Sequence, residues 1–153
     1  RNHADLVMSV IASPRTAVHL VTLLEEMPVQ ETMDGIAEIR SAELPVGGVF
    51  VNMTRPPLLD DAERALALQD RLPIDDIVNQ LTEAGVTGDA HAIARTLVRE
   101  GTDHARRIEL EQRELERLDS LDVPVLQLPF LPGGIDLSNL YELASLLTKQ
   151  GVR

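Results

Sequence analysis

The stretch from Ala17 to Asn52 restricts the fold more than any other part of the chain. Ala17 to Leu24 (AVHLVTLL) is short, apolar and rich in β-branched residues, the pattern of a buried strand. Gln30 to Leu44 repeats apolar residues on one helical face, at Met33, Ile36, Ala37 and Leu44, with charges on the other. Pro28 lies just ahead of this predicted helix, Glu31 and Asp34 suit its positive N-terminal end, and Pro45 stops it. Gly48 to Asn52 (GVFVN) reads as a second strand. Strand, helix and strand in this order form a βαβ unit, so the two strands are expected to run parallel, in a sheet covered on both faces.

The rest of the chain divides around that unit. Asp5 to Ala12 reads as a short apolar helix, most simply a core helix. Residues 56–121 carry almost no strand signal. A charged helix follows Pro56-Pro57, a shorter one spans Pro73 to Ala84, and a long one runs from about Asp89 to Leu118. This is a helical insertion, expected to serve packing or an accessory surface rather than chemistry. Residues 122–150 return to the sheet pattern, with a strand at Val123 to Leu128, the turn PFLPGG and an amphipathic helix from Leu137 to Gln150. The expected fold is α/β: a partial, doubly wound parallel sheet of about three strands with a helical insertion. The chain is expected to form a single domain or part of one.

Composition excludes several functions. The 153 residues contain no Cys, which removes disulfides, thiolate metal sites and a cysteine nucleophile. A formal charge of −11 argues against a general nucleic-acid binder, which would need a basic face to meet phosphates. No apolar run approaches the ~18–20 residues of a membrane span, and the start lacks the apolar core of a secretory signal. Of the 14 basic residues only Lys149 is a lysine, and it lies in Thr148-Lys149-Gln150, so the chain has no phosphate-binding GK[ST] motif. Beginning at Arg1 rather than Met, the chain is expected to be a piece of something longer.

In open parallel sheets, ligands bind beyond the carboxyl ends of the strands. Three features follow the three strands: Glu25, Asn52 and the turn Pro129 to Gly134. An Asn amide donates and accepts at once, which matches the N6 donor and N7 acceptor of adenine. A strand-end Asn can equally bond its own loop backbone. A turn with two prolines, Phe130 and a glycine pair could sandwich a flat base, or simply connect strand to helix. Glu25 could accept bonds from ribose hydroxyls or stand in solvent as an ordinary acidic residue.

Taken together, EEMPVQET, the amphipathic helix and GGVFVNM resemble the C-terminal half of the arsenite-pump (ArsA-like) and tail-anchored-protein-targeting (Get-type) anion-transporting ATPases. These are deviant P-loop ATPases of the nitrogenase-iron-protein and MinD class. The Glu31-Thr32 pair and Asn52, 21 residues on, carry the likeness, with VLQLPFLPGGIDLSNLYELASLL matching the adenine loop and last helix. It covers residues 17–55 and 120–148 and fades over the helical middle. The resemblance implies the C-terminal part of a P-loop NTPase fold. It assigns Glu25 to nucleotide contact, Asn52 to adenine, and Pro129, Phe130, Leu131, Pro132, Gly133, Gly134, Ile135 and Asp136 to the loop around the base. Where the family often has Glu-Ile-Arg-Gly, this chain has Gly134-Ile135-Asp136-Leu137, which favours backbone over side-chain contacts to the base.

The family's phosphate loop, water-positioning Asp and second switch lie in its N-terminal half. The expected protein is therefore a cytoplasmic, dimeric ATPase that hydrolyses ATP. This chain supplies adenine recognition and dimer surface and is inactive alone, and the missing N-terminal half holds the phosphates and Mg. ATP and ADP, a homo- or heterodimeric ATPase partner and a membrane-protein client are the implied partners, with a location in the cytoplasm or peripheral to the membrane. The alternative is a relative without a P-loop, acting as a regulatory or protein-interaction subunit without ATPase activity. A third reading is an unrelated acidic α/β interaction domain.

Other residues point to no chemistry. His3, His19, His91 and His104 lack metal-ligand spacing, and His91 and His104 are about 20 Å apart along one helix. His19, inside a strand, is expected in the core. Glu109 to Arg117 reads as a solvated helix face with i,i+4 pairs, the alternative being a partner-docking helix.

Overall fold

In a computed structural model, residues 2–152 are described. In chain order the elements are α1 (Asn2–Ile11), β1 (Val18–Thr22), α2 (Glu26–Ser41), β2 (Val46–Thr54), α3 (Asp61–Leu68), α4 (Ile74–Glu83), α5 (Ala90–Asp119), β3 (Val125–Pro129) and α6 (Leu137–Lys149). The chain is α/β, with one parallel three-stranded sheet in the order β1-β2-β3. It divides into two compact units, Arg1–Arg55 with Glu111–Arg153, and Pro56–Leu110.

The first unit holds the sheet. Alternation along β1 and β2 turns Leu20, Thr22, Val49 and Val51 to one face, where α2 and the last turns of α5 lie. Val29, Ile36, Val49, Val51 and Leu118 are fully buried there, with Leu24 beside them and Leu20, Met33, Leu115 and Val125 at the margin. α2 starts at Glu26, earlier than the sequence pattern suggests, and takes Pro28 into its first turn. Pro is tolerated there because the first-turn N–H groups have no partner within the helix. Thr32 is buried because its hydroxyl donates to the Pro28 carbonyl at 2.8 Å. At the start of β2, a side chain on Gly48 would come within 2.9 Å of the Pro124 carbonyl oxygen. Glycine lets that carbonyl accept from the Val49 N–H at 2.8 Å, which starts the β2–β3 pairing.

The opposite face of the sheet departs from expectation. α6 packs beside β3 and Leu126 is buried, but Val21 of β1 is 69% exposed. That face is thus covered over β3 and open over β1. His19 shares this face with Val21, so it is exposed rather than in the core, and it meets Phe50 edge-on at 5.4 Å. α1 is not a core helix either. Leu6, Val7, Met8 and Val10 are exposed, and no α1 residue joins the buried cluster. The supposedly solvated face at Glu109–Arg117 is partly interior. Glu111 and Glu114 fall on the α5 face that carries Leu115 and Leu118, and both are buried. Each meets an arginine: Arg55 lies 3.1 Å from Glu111 and Arg117 lies 2.6 Å from Glu114. On the edge of β3, the Gln150 side chain accepts from the Gln127 N–H and donates to its carbonyl, both at 2.8 Å. It occupies hydrogen-bonding positions that a neighbouring strand would otherwise take.

The second unit is helical. Asp60 and Glu63 form a reciprocal capping box at the start of α3, and Asp89 accepts from the Ala92 N–H at the start of α5. Its buried apolar residues are mostly small: Ala67, Ala94 and Ala105, with Ile108. α4 buries no residue fully. A cavity of about 370 Å³ lies within this unit, walled largely by Leu59, Leu66, Leu72, Ile77 and Leu97, with Gly101 also on its lining.

Candidate functional site

Because the three strands are parallel, their carboxyl ends emerge at the same end of the sheet, and the segments after β2 and β3 meet there. β2 ends irregularly. Val51 pairs with Gln127, but the next pair is Thr54 with Pro129, so β2 advances three residues where β3 advances two. One residue is left over, which is a β-bulge spanning Asn52 and Met53. Met53 holds the left-handed conformation with φ 58°. For a residue with a Cβ this costs on the order of 1–3 kcal/mol. Pairing resumes at Thr54, whose carbonyl accepts from the Phe130 N–H at 2.9 Å. The Thr54 hydroxyl also donates to the Leu128 carbonyl at 3.3 Å.

Beyond the bulge the two segments enclose a cavity of about 240 Å³. It is bounded by Asn52, Pro129, Phe130, Leu131, Gly134 and Ile135, together with Met53 and Leu143. Pockets that engulf whole drug-sized ligands run to about 300–1,000 Å³, so this one suits a fragment such as a single heterocycle. Its surroundings are apolar and accessible, with Phe130 47% and Ile135 67% exposed. Asn52 is half-buried. Among the described residues nothing bonds its side-chain amide, so the loop-capping role open to a strand-end Asn is not realised here.

Six of the ten residues singled out from the sequence therefore bound one cavity, and four do not. Pro132 and Gly133 project from the turn into solvent. Asp136 caps α6: its carboxylate accepts from the Asn139 N–H at 2.9 Å, and the Asn139 side chain accepts from the Asp136 N–H at 3.1 Å. That carboxylate is held by the helix start rather than turned to the cavity. Glu25 occupies the N-cap position of α2 with extended backbone and is half-buried, three residues past Thr22 at the end of β1. Sequence patterns missed Met53 and Leu143. Leu143 sits on α6 among other leucines, and nothing in a strand pattern marks which residue will bulge.

Among the described residues, no group of three or more His, Asp or Glu is arranged to hold a metal ion. None of the described helices is long and apolar enough to cross a membrane.

No known family profile matches the chain. Over 147 residues it is 42% identical to ATPase BagA of Mycobacterium tuberculosis strain H37Rv, a match covering 96% of this chain and 43% of that protein. The same identity and coverage relate it to Mb3704 of Mycobacterium bovis, named an ATPase by inference. The chain is thus similar to proteins named as ATPases, and it spans about 43% of the length of these relatives.

Proposed function

We propose that this chain is the adenine-binding part of an ATPase of the arsenite-pump and tail-anchored-protein-targeting family. The observation that carries the proposal is the meeting of Asn52 and the Pro129–Ile135 turn around one apolar cavity at the carboxyl ends of two parallel strands. The likeness to proteins named as ATPases supports the same reading.

The chemistry is that of base recognition. The Asn52 amide offers an acceptor and a donor, the complement of the adenine N6 and N7 edge; guanine presents two acceptors at that edge and is matched less well. Phe130 and Pro129 offer flat apolar surface to the face of the base. Glu25, at the mouth of the first strand, is suited to the ribose hydroxyls. The phosphates and Mg would be held by the rest of the protein, and the metal would supply charge neutralisation at the phosphates. This chain's share is to orient the nucleotide and to contribute to a dimer surface. In the intact protein the ATPase cycle would move a client, a membrane protein being the reading that the family resemblance supports.

The test is Asn52→Ala in the intact protein, measured by nucleotide binding. A lost bidentate base contact is worth about 1–3 kcal/mol, so ATP affinity should fall about 5- to 150-fold and the preference over GTP should shrink. Unchanged affinity and preference would remove Asn52 from the site.

A further inference from the structure

Three described residues other than glycine hold a left-handed backbone: Glu43 at φ 56°, Asp70 at 55° and Met53 at 58°. The first two have an ordinary reason. Each lies just past a helix C-cap and closes it with a pair of bonds. The Glu43 N–H donates to the Arg40 carbonyl while that of Leu44 donates to Ile39. The Asp70 N–H donates to Ala67 while that of Arg71 donates to Leu66. Met53 ends no helix. It lies within the central strand, in the bulge, on the wall of the cavity that Asn52 shares with the turn.

Regular pairing beyond Val51–Gln127 would set Asn52 opposite Leu128 and Met53 opposite Pro129. The bulge sets Thr54 opposite Pro129 instead. One residue's backbone therefore determines where the turn starts relative to the Asn52 amide. We infer that Met53 is a positioning residue for base selectivity: its left-handed backbone holds the Asn52 amide and the Phe130 turn in the mutual register that discriminates adenine from guanine. The inference rests on the adenine reading of this cavity. It adds that selectivity depends on the sign of φ at residue 53 as well as on the Asn52 side chain.

Substitutions that differ in their tolerance of positive φ separate this role from a merely structural one. Glycine and asparagine accept φ near 58°, whereas valine and threonine, branched at Cβ, resist it. The readout is the ratio of ATP to GTP affinity in the intact protein, with thermal unfolding recorded alongside. Met53→Val and Met53→Thr should lower the ratio by about 5-fold or more relative to Met53→Gly and Met53→Asn, all four having lost the methionine side chain from the cavity wall. Should Met53→Val fail to fold, the Asn and Thr variants still decide, being polar and similar in size but opposite in φ tolerance. Equal ratios for those two would overturn the inference. Asn52→Ala separates the two levels. If it lowers the ratio and Met53→Thr does not, positioning by Met53 fails and base reading stands. If Asn52→Ala leaves the ratio unchanged, the base reading itself fails.

Discussion

The two compact units fill their interiors in different ways. In the sheet unit, five aliphatic side chains of Val, Ile and Leu are fully buried between β2, α2 and α5. In the helical unit the fully buried apolar groups are alanines, one helix buries nothing completely, and a cavity of about 370 Å³ remains. A sheet face presents a flat, pleated surface that one helical layer of branched residues can cover without gaps. Helices α3, α4 and α5 meet on curved surfaces, and small side chains let the backbones approach at some points while leaving space at others. The lesson is that stability and tolerance should diverge. The first unit should suffer from any lost methyl group, and the second should absorb changes at its cavity wall.

Three substitutions can break or sharpen this contrast. The largest effect is expected for Leu118→Ala, which empties a site that is 0% exposed between α5 and the sheet. About 3 kcal/mol should be lost, within the usual range for a buried leucine. Denaturant unfolding gives the total, and native-state hydrogen exchange should show reduced protection in the three strands. Next, Ile77→Ala removes a half-buried side chain from a wall that already borders empty space. About 1 kcal/mol or less is expected, because the contacts are incomplete to begin with. A loss equal to that at Leu118 would end the contrast. The smallest effect has the opposite sign. A Cβ on Gly101 would lie 3.4 Å from a Leu72 methyl and 3.8 Å from a Leu59 methyl, which is ordinary contact. Gly101→Ala should therefore gain up to about 1 kcal/mol from helix propensity, seen as a raised unfolding midpoint. Destabilisation would mean that the helical unit is packed as tightly as the sheet unit.

Much of the architecture was legible because its signals are periodic. The βαβ unit, the closing strand and the last helix announce themselves through runs of branched residues and a 3.6-residue repeat, punctuated by Pro45, Gly151 and the PFLPGG turn. Two helix details were not. Pro28 suggested a helix beginning after it, whereas a first turn accepts proline. A run of charges at helical spacing reads as a solvated face, and nothing local shows that Glu111 is buried against Arg55, 56 residues away. Exposure depends on a covering layer: His19, Val21, Leu6, Val7, Met8 and Val10 are apolar or aromatic in pattern, and among the described residues no neighbouring element buries them.

The candidate site divides in the same way. Asn52 and most of the Pro129–Ile135 turn could be located because each follows a strand, and strands can be found from local pattern. That Asp136 serves a helix cap, and that Met53 bulges, could not be read locally. An aspartate is equally at home capping a helix or facing a ligand, and methionine carries no preference for positive φ. Sequence by itself determined the elements, their order, the parallel pairing of β1 with β2, and the absence of thiol chemistry and of a lysine-bearing phosphate loop. Tertiary structure alone decided the register of β2 against β3, and hence which residues share the cavity. Register depends on contacts between segments some 75 residues apart, such as the Thr54 hydroxyl with the Leu128 carbonyl, 74 residues away. No local preference can specify it, because a one-residue slip changes every pairing without changing any element.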